Sequence, residues 1–232
     1  MLLISSASYV TWLDHHRSAI PDYCGQDFFE KGNTRFEAIS STTHIVLDNE
    51  HSGAWLAWAH YHPDLPMPKL IEHIEDRDLW KFQLRYTKEI IEGLRQNPQT
   101  FEAWDQYLQD DNNLTDLERV GSVLVNAVNE RTRKVAEGSP RPVSLKDSEG
   151  ILHQFIAANV INDISEAGHA LNTKFNLPSL TFFIKDLQVI CSLRTQDDFD
   201  VSRIARHYGG GGHQKAAGFK ISVKKFFTEI WV

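Results

Sequence analysis

The run Tyr9-Val10-Thr11-Trp12-Leu13-Asp14-His15-His16 decides how this chain reads. Its β-prone residues, Tyr9 to Leu13, end abruptly in one carboxylate and two imidazoles. Open parallel sheets bind ligands just beyond the carboxyl ends of their strands. A strand that closes on Asp-His-His therefore aims three metal-ligating or proton-handling groups at the place where such folds do chemistry. Three-residue motifs recur by chance, and a surface turn with incidental histidines is the competing reading. What separates the two lies at the far end of the chain.

At 232 residues the chain can bury a substantial core in one large domain or two small ones. A formal net charge of −7 excludes a dominant basic footprint for duplex nucleic acid, and leaves small or short phosphorylated ligands open. Cys24 and Cys191 are the two cysteines, far apart in sequence, so neither a disulfide framework nor a thiolate metal site is expected. A reduced, cytoplasmic setting is the expectation, with no membrane partner, since no apolar run approaches the ~18 residues of a membrane helix. Residues 1–10 lack the layout of a signal peptide and read as the start of a domain already under way.

Outward from His16, a polar, turn-rich passage runs to Asn33. Thr43 to Leu47 reads as a strand, and Ser52 or Gly53 as the start of a helix through Ala59. The amides at that helix mouth could seat an anion; a plain Ser52 cap is an equal alternative. Leu70, Ile71 and Ile74 suggest a short helix ending in Glu75-Asp76-Arg77-Asp78-Leu79-Trp80, three carboxylates in four residues beside apolar anchors. Such oxygen-rich groups suit Mg or Mn, and Mn also accepts imidazole. Amphipathic helices follow, and Thr115-Asp116-Leu117-Glu118 reads as a capping box opening a long one. Gly138, Pro140 and Pro142 stop it. Three parts result: 1–114, a linker helix at 115–142, and 143–232. In the last, Phe155 to Ala158 reads as a strand and Asn162 to Leu171 as a helix. Leu180 to Ile184 and Val189 to Leu193 read as a hairpin turning near Lys185-Asp186, and Asp200 opens another helix.

Tyr208 precedes Gly209, Gly210, Gly211 and Gly212, then His213-Gln214-Lys215-Ala216-Ala217-Gly218-Phe219. Four consecutive glycines carry a large entropic cost on folding. A compact domain accepts that cost where backbone must reach φ > 0 or let a ligand come close, and successive amides there can form an anion-binding nest. A flexible linker is the alternative, but linkers do not run on into such an ordered sequence.

With both ends in view, the chain resembles the DHH phosphoesterase family, on Asp14-His15-His16, and its DHH-associated C-terminal domain, on Gly209 to Phe219. Ser192-Leu193-Arg194, Asp48 to Ala54 and Glu75 to Trp80 are similar to further blocks of that family. The resemblance implies an α/β fold: a parallel-sheet DHH domain joined by a linker helix to a smaller α/β domain, with the active site in the cleft between. It implies a two-metal Mn (or Mg) site that activates water for attack on phosphorus. His15 and Asp76 would be metal ligands, with Asp78 the rival of Asp76. His16 would touch the scissile phosphate and Asp14 would orient the pair. Arg194, His213 and the backbone of Gly209, Gly210, Gly211 and Gly212 would hold substrate. The expected partner is a short oligonucleotide or small phosphate ester, and a homodimer is a compatible assembly.

Members of that family carry an upstream block of acidic and histidine metal ligands, whereas none of the thirteen residues before Asp14 is Asp, Glu or His. The expectation is an N-terminally truncated member that binds metal weakly, turns over little phosphodiester and exposes a sheet edge prone to association. Two other readings stand beside it. One is a pyrophosphatase or exopolyphosphatase; the other is a non-catalytic module that binds nucleotides or RNA ends.

Overall fold

A computed structural model describes residues 7–16, 23–25, 28 and 32–231. Most of the turn-rich passage before Asn33, and the first six residues, lie outside the described residues. The chain divides into two compact units, Met1–Asn126 and Ala127–Val232, and both are mixed α/β.

In the first unit, β1 (Val10–Asp14), β2 (Arg35–Ile39) and β3 (Thr43–Asp48) form a sheet in the order β1-β3-β2. The pair β1–β3 is parallel, with Asp14 opposite Leu47. The second pair, β2–β3, is an antiparallel hairpin. β3 is central, so its residues Ile45, Val46 and Leu47 are buried. Ser40 stitches the hairpin turn: its Oγ accepts from the amides of Thr42 and Thr43. In β2 the burial alternates: Phe36 and Ala38 turn inward, while Arg35, Glu37 and the apolar Ile39 face out, which blurs the sequence pattern.

Four helices follow: α1 (Gly53–Tyr61), α2 (Lys69–Asp78), α3 (Thr87–Leu94) and α4 (Phe101–Gln109). Ser52 caps α1, its Oγ accepting from the Trp55 amide. A single 3-10 turn, Asp111–Asn113, then leads into α5 (Leu114–Glu137). That helix begins before Thr115, so the supposed capping box lies inside its first turn. Leu70, Ile90, Leu94, Tyr107, Leu114 and Leu117 make the core between these helices. The contact of α3 with α5 is backbone-close: a Cβ on Gly93 would sit 2.1 Å from the Leu117 carbonyl oxygen, and one on Gly121 would sit 1.7 Å from that of Glu89.

The second unit is a six-stranded sheet in the order β4-β5-β6-β7-β9-β8. Its strands are β4 (Arg141–Lys146), β5 (Leu152–Asn159), β6 (Ser179–Lys185), β7 (Gln188–Arg194), β8 (Gly211–His213) and β9 (Ala216–Ser222). Only β5–β6 is parallel, and α6 (Ile164–Phe175) makes the crossover between them. One face buries Phe155, Leu180, Val189, Leu193 and Phe219 beneath α7 (Val201–His207) and α8 (Val223–Glu229), whose Phe226 completes that core. The opposite face packs Ile156 and Ala158 on α6 and on the last turns of α5. β4 carries Pro142, which the sequence pattern reads as a helix stop; at a sheet edge a proline leaves no ladder bond missing.

β6 and β7 turn through Asp186 (φ 48°) and Leu187 (φ 64°), a two-residue turn with both central residues left-handed. Leu187 is 84% exposed and gains no packing there. Leu187→Gly is therefore expected to raise the unfolding free energy by about 0.5–1 kcal/mol. Gly121→Ala, which forces α5 off α3, is expected to lower it by roughly 2–3 kcal/mol. Urea titrations of the two variants against wild type check both signs.

Candidate active site

Asp14 closes β1, and its Oδ1 accepts from the His16 amide at 2.9 Å and from His16 Nδ1 at 2.7 Å. A carboxylate can only accept, so Nδ1 carries the proton and the ring's orientation is fixed. Burial works to raise the Asp14 pKa, but the hydrogen bonds from His16 outweigh it and bring the group down to about 2. The same bond raises the pKa of His16. His15, between them, is buried. Burial lowers its pKa, and Asp78 pulls the other way. Its ring centroid lies 4.6 Å from that of His16, and its Nε2 lies 3.5 Å from Asp78 Oδ2.

Around this group sits the N-terminal end of α1. A Cβ on Gly53 would touch the His15 ring at 3.7 Å. Glu75 anchors the approach: its Oε2 accepts from the Ser52 amide at 2.8 Å and lies 3.3 Å from His51 Nδ1. Asp48, at the end of β3, is structural. It accepts from the Glu50 amide and from Arg35 Nη1.

Asp76 and Asp78 differ sharply. Asp76 is buried, and both its oxygens serve the fold. Oδ1 accepts from the Gln83 amide at 2.7 Å. Oδ2 accepts from the Leu84 amide at 3.1 Å and from Thr87 Oγ1 at 2.6 Å. Because the Thr87 proton points at Asp76, His73 Nδ1, 2.8 Å from Thr87 Oγ1, is the donor in that contact. Asp76, the carboxylate expected at a metal, is thus spent on holding a loop, and it is Asp78 that faces His15. The two lie in the last turn of one helix, two residues apart, and spacing alone does not say which of them turns toward β1.

In the second unit, Arg194 ends β7. Its Nη1 donates to the Leu193 carbonyl and its Nη2 to Ser165 Oγ, both at 2.8 Å. The side chain lies along α6, where a Cβ on Gly168 would meet Arg194 Cγ at 3.0 Å. Arg194 and His213 both pair with Ala216, so the three residues form one row across β7, β9 and β8 and share the α6 face. His169 is exposed on α6, 3.3 Å from Gln196 Nε2.

The glycine run is built differently from the expected four-amide cradle. Gly209, at φ +81°, donates to the Arg206 carbonyl and Gly210 to that of Ala205, which closes the C-terminus of α7. A Cβ on Gly210 would fall 2.0 Å from the Gly218 carbonyl oxygen, and one on Gly212 would fall 2.6 Å from that of Ala216. Two of the four amides thus cap a helix, and Gly210 and Gly212 let β8 close on β9.

A model of the DHHA1 domain matches residues 148–230. The C-terminal segment is a DHHA1 domain. Its glycine signature had pointed there, and the recognition of the DHH-associated domain stands. A curated relative, the uncharacterized protein R106 of Acanthamoeba polyphaga mimivirus, is 27% identical over 229 residues, covering 84% of this chain and 52% of that protein. The chain thus spans about half the length of that relative. Among solved structures, an exopolyphosphatase-related protein from Bacteroides fragilis is similar at TM-score 0.49 and 14% identity, covering 98% of this chain and 71% of the other. A pGpG-specific phosphodiesterase from Vibrio cholerae is similar at TM-score 0.45 and 12% identity, covering 76% and 69%. Among the described residues no helix is long and apolar enough to cross a membrane.

The two aspartates separate experimentally. Asp76→Asn places an amide N–H against donors and is expected to cost about 2–4 kcal/mol of stability. Asp78→Asn, on a half-exposed side chain, is expected to stay within about 0.5 kcal/mol of wild type. Burial lowers the His73 pKa, so its contribution is complete above the unfolded value near 6.5 and is lost as pH falls below it. Between pH 7 and 5 the unfolding free energy should therefore fall less steeply in His73→Asn than in wild type, as read by denaturant titration at each pH.

Proposed function

We propose that the chain is a metal-dependent phosphoesterase acting on nucleotide-like phosphate esters. The observation that carries this reading is the approach of His15 Nε2 to Asp78 Oδ2, 3.5 Å, at the carboxyl end of the parallel pair β1–β3. Ligand bonds of ~2.1 Å set neighbouring ligand atoms ~3 Å apart around an octahedral cation, so the pair fits one divalent ion with little movement. A nitrogen–oxygen donor set favours Mn over Mg. When bound, such an ion supplies Lewis acidity and a water of lowered pKa.

The chain's own residues do the rest. His15, held neutral by burial, keeps a lone pair for coordination. Asp14 holds the His16 ring through Nδ1, and in the imidazolium form Nε2 would donate to a phosphate oxygen. In the DHHA1 domain, Arg194 sits at the N-terminal turn of α6, where the helix dipole is also positive. Two like-signed partners there favour an anion between them, and a substrate phosphate is the natural occupant, with His213 in the same row.

A second reading, binding without turnover, draws on the thin donor set. Within the first unit, among the described residues, His15 and Asp78 are in contact while Asp14 is committed to His16, and two ligands hold a cation weakly. Assays with Mn on a dinucleotide, pyrophosphate and polyphosphate decide between them. Hydrolysis of the dinucleotide, reduced at least ~100-fold by His15→Ala and by Asp78→Asn, is expected from the first reading. Binding without product supports the second. Turnover indifferent to both substitutions contradicts the site.

A further inference from the structure

At one end of the DHHA1 domain's sheet, four large apolar side chains stand in water. Leu187, at the tip of the β6–β7 hairpin, is 84% exposed, and Ile184, two residues before the turn, is 52% exposed. Ile161, 70% exposed, follows β5, where the Val160 amide donates to the Phe182 carbonyl and holds it at the same end. Phe227, 43% exposed, lies one turn into α8 after Val223, whose amide donates to the Leu187 carbonyl at 3.2 Å.

The tip is strained as well as apolar. Leu187, at φ 64°, holds the second central position of a turn that favours glycine there. The bond to Val223 fixes its backbone, and its side chain projects into solvent. A leucine at this place weakens the fold and packs on nothing, a cost that marks side chains serving something outside the fold. The surroundings are basic. Lys185 precedes the turn, Lys220 lies opposite Ile190 in β9, and Lys224 and Lys225 are in the first turn of α8. Lys225 lies 3.9 Å from Glu229. Residues 183–190 and 220–229 thus hold four lysines against two acids, Asp186 and Glu229, in a chain of net charge −7.

We propose that this end of the domain is an anchor for an anionic phospholipid surface, with Leu187 and Ile184 entering the headgroup layer and Lys185, Lys220 and Lys224 meeting lipid phosphates. Lysine stems lie along apolar surface while their ammonium groups stay with the headgroups, and a negative leaflet attracts each such charge. Four separate side chains fall short of the ~800 Å² per partner of a stable protein interface, whereas a lipid surface takes apolar side chains one by one. The expectation of no membrane partner rested on the lack of a spanning run. A surface anchor needs none, because it reaches only the boundary of headgroups and acyl chains. β7 is seven residues long, which sets Arg194 at its other end, about 20 Å from the turn. The anchor and the Arg194–His213 row therefore do not compete for one ligand.

The test is co-sedimentation of the full chain with vesicles of phosphatidylcholine, with and without phosphatidylglycerol, across a salt series. Wild type is expected to bind the anionic vesicles, to prefer them over neutral ones, and to come off as salt screens the lysines. Leu187→Gly is expected to bind about tenfold more weakly, the worth of one buried leucine side chain. Its unfolding midpoint is expected to rise, so that the loss of binding cannot come from a damaged fold. Lys185→Gln/Lys224→Gln is expected to bind roughly thirtyfold more weakly, about fivefold for each lysine. The proposal is overturned if wild type ignores anionic vesicles, if it binds neutral ones equally, or if Leu187→Gly binds like wild type. It is also overturned if sedimentation velocity without lipid shows a dimer that Leu187→Gly dissolves, since the tip would then be a contact between two copies of the chain.

Discussion

The first unit hangs on one buried carboxylate. Asp76 accepts three hydrogen bonds through its side chain, and charge-assisted bonds of this kind are about twice as strong as neutral ones. Away from water, that carboxylate is met by the Gln83 and Leu84 amides of the turn before α3 and by Thr87, the first residue of α3. That turn could not hold three aromatic residues at positive φ without such a clamp. His73 and Thr87 extend the clamp into the core and fix one proton arrangement along it. Because α2 is pinned in this way, its last residue, Asp78, is delivered to His15 at the end of β1.

The same economy marks the second unit. The glycine run looks at first like a phosphate cradle, but much of its cost is recovered structurally, by closing α7 and by letting β8 lie on β9. Beside it, Arg194 is docked at the head of α6, and His213 stands in register with it through Ala216. A glycine signature can therefore be specific for a domain without every amide in it serving the ligand.

Much of this was legible beforehand. The strand before Asp14, the strand before Asp48, the Ser52 cap, the hairpin at Asp186 and the Asp200 cap each follow from local chemistry, and local chemistry survives folding. β2 and β4 were not read beforehand: both alternate, but the outward-facing Ile39 blurs the pattern of β2, and Pro142 in β4 reads as a helix stop. The exchange of roles between Asp76 and Asp78 was hidden for a different reason. Two carboxylates in one helical turn are equivalent in sequence, and only the direction of the following loop decides which is buried. Nor does a sequence disclose that Trp80, Phe82 and Tyr86 are held left-handed, since nothing in those residue types asks for it.

The account turns on where a divalent cation goes. Titrating Mn2+ into 15N-labelled chain and following the imidazole nitrogen resonances tests this directly, because paramagnetic broadening falls off steeply with distance. The account predicts that the His15 signals broaden first, that those of His16 follow, and that Asp78→Asn removes the effect while His73 is spared. Broadening that begins at His51 or His73, or that is unchanged in Asp78→Asn, would contradict it.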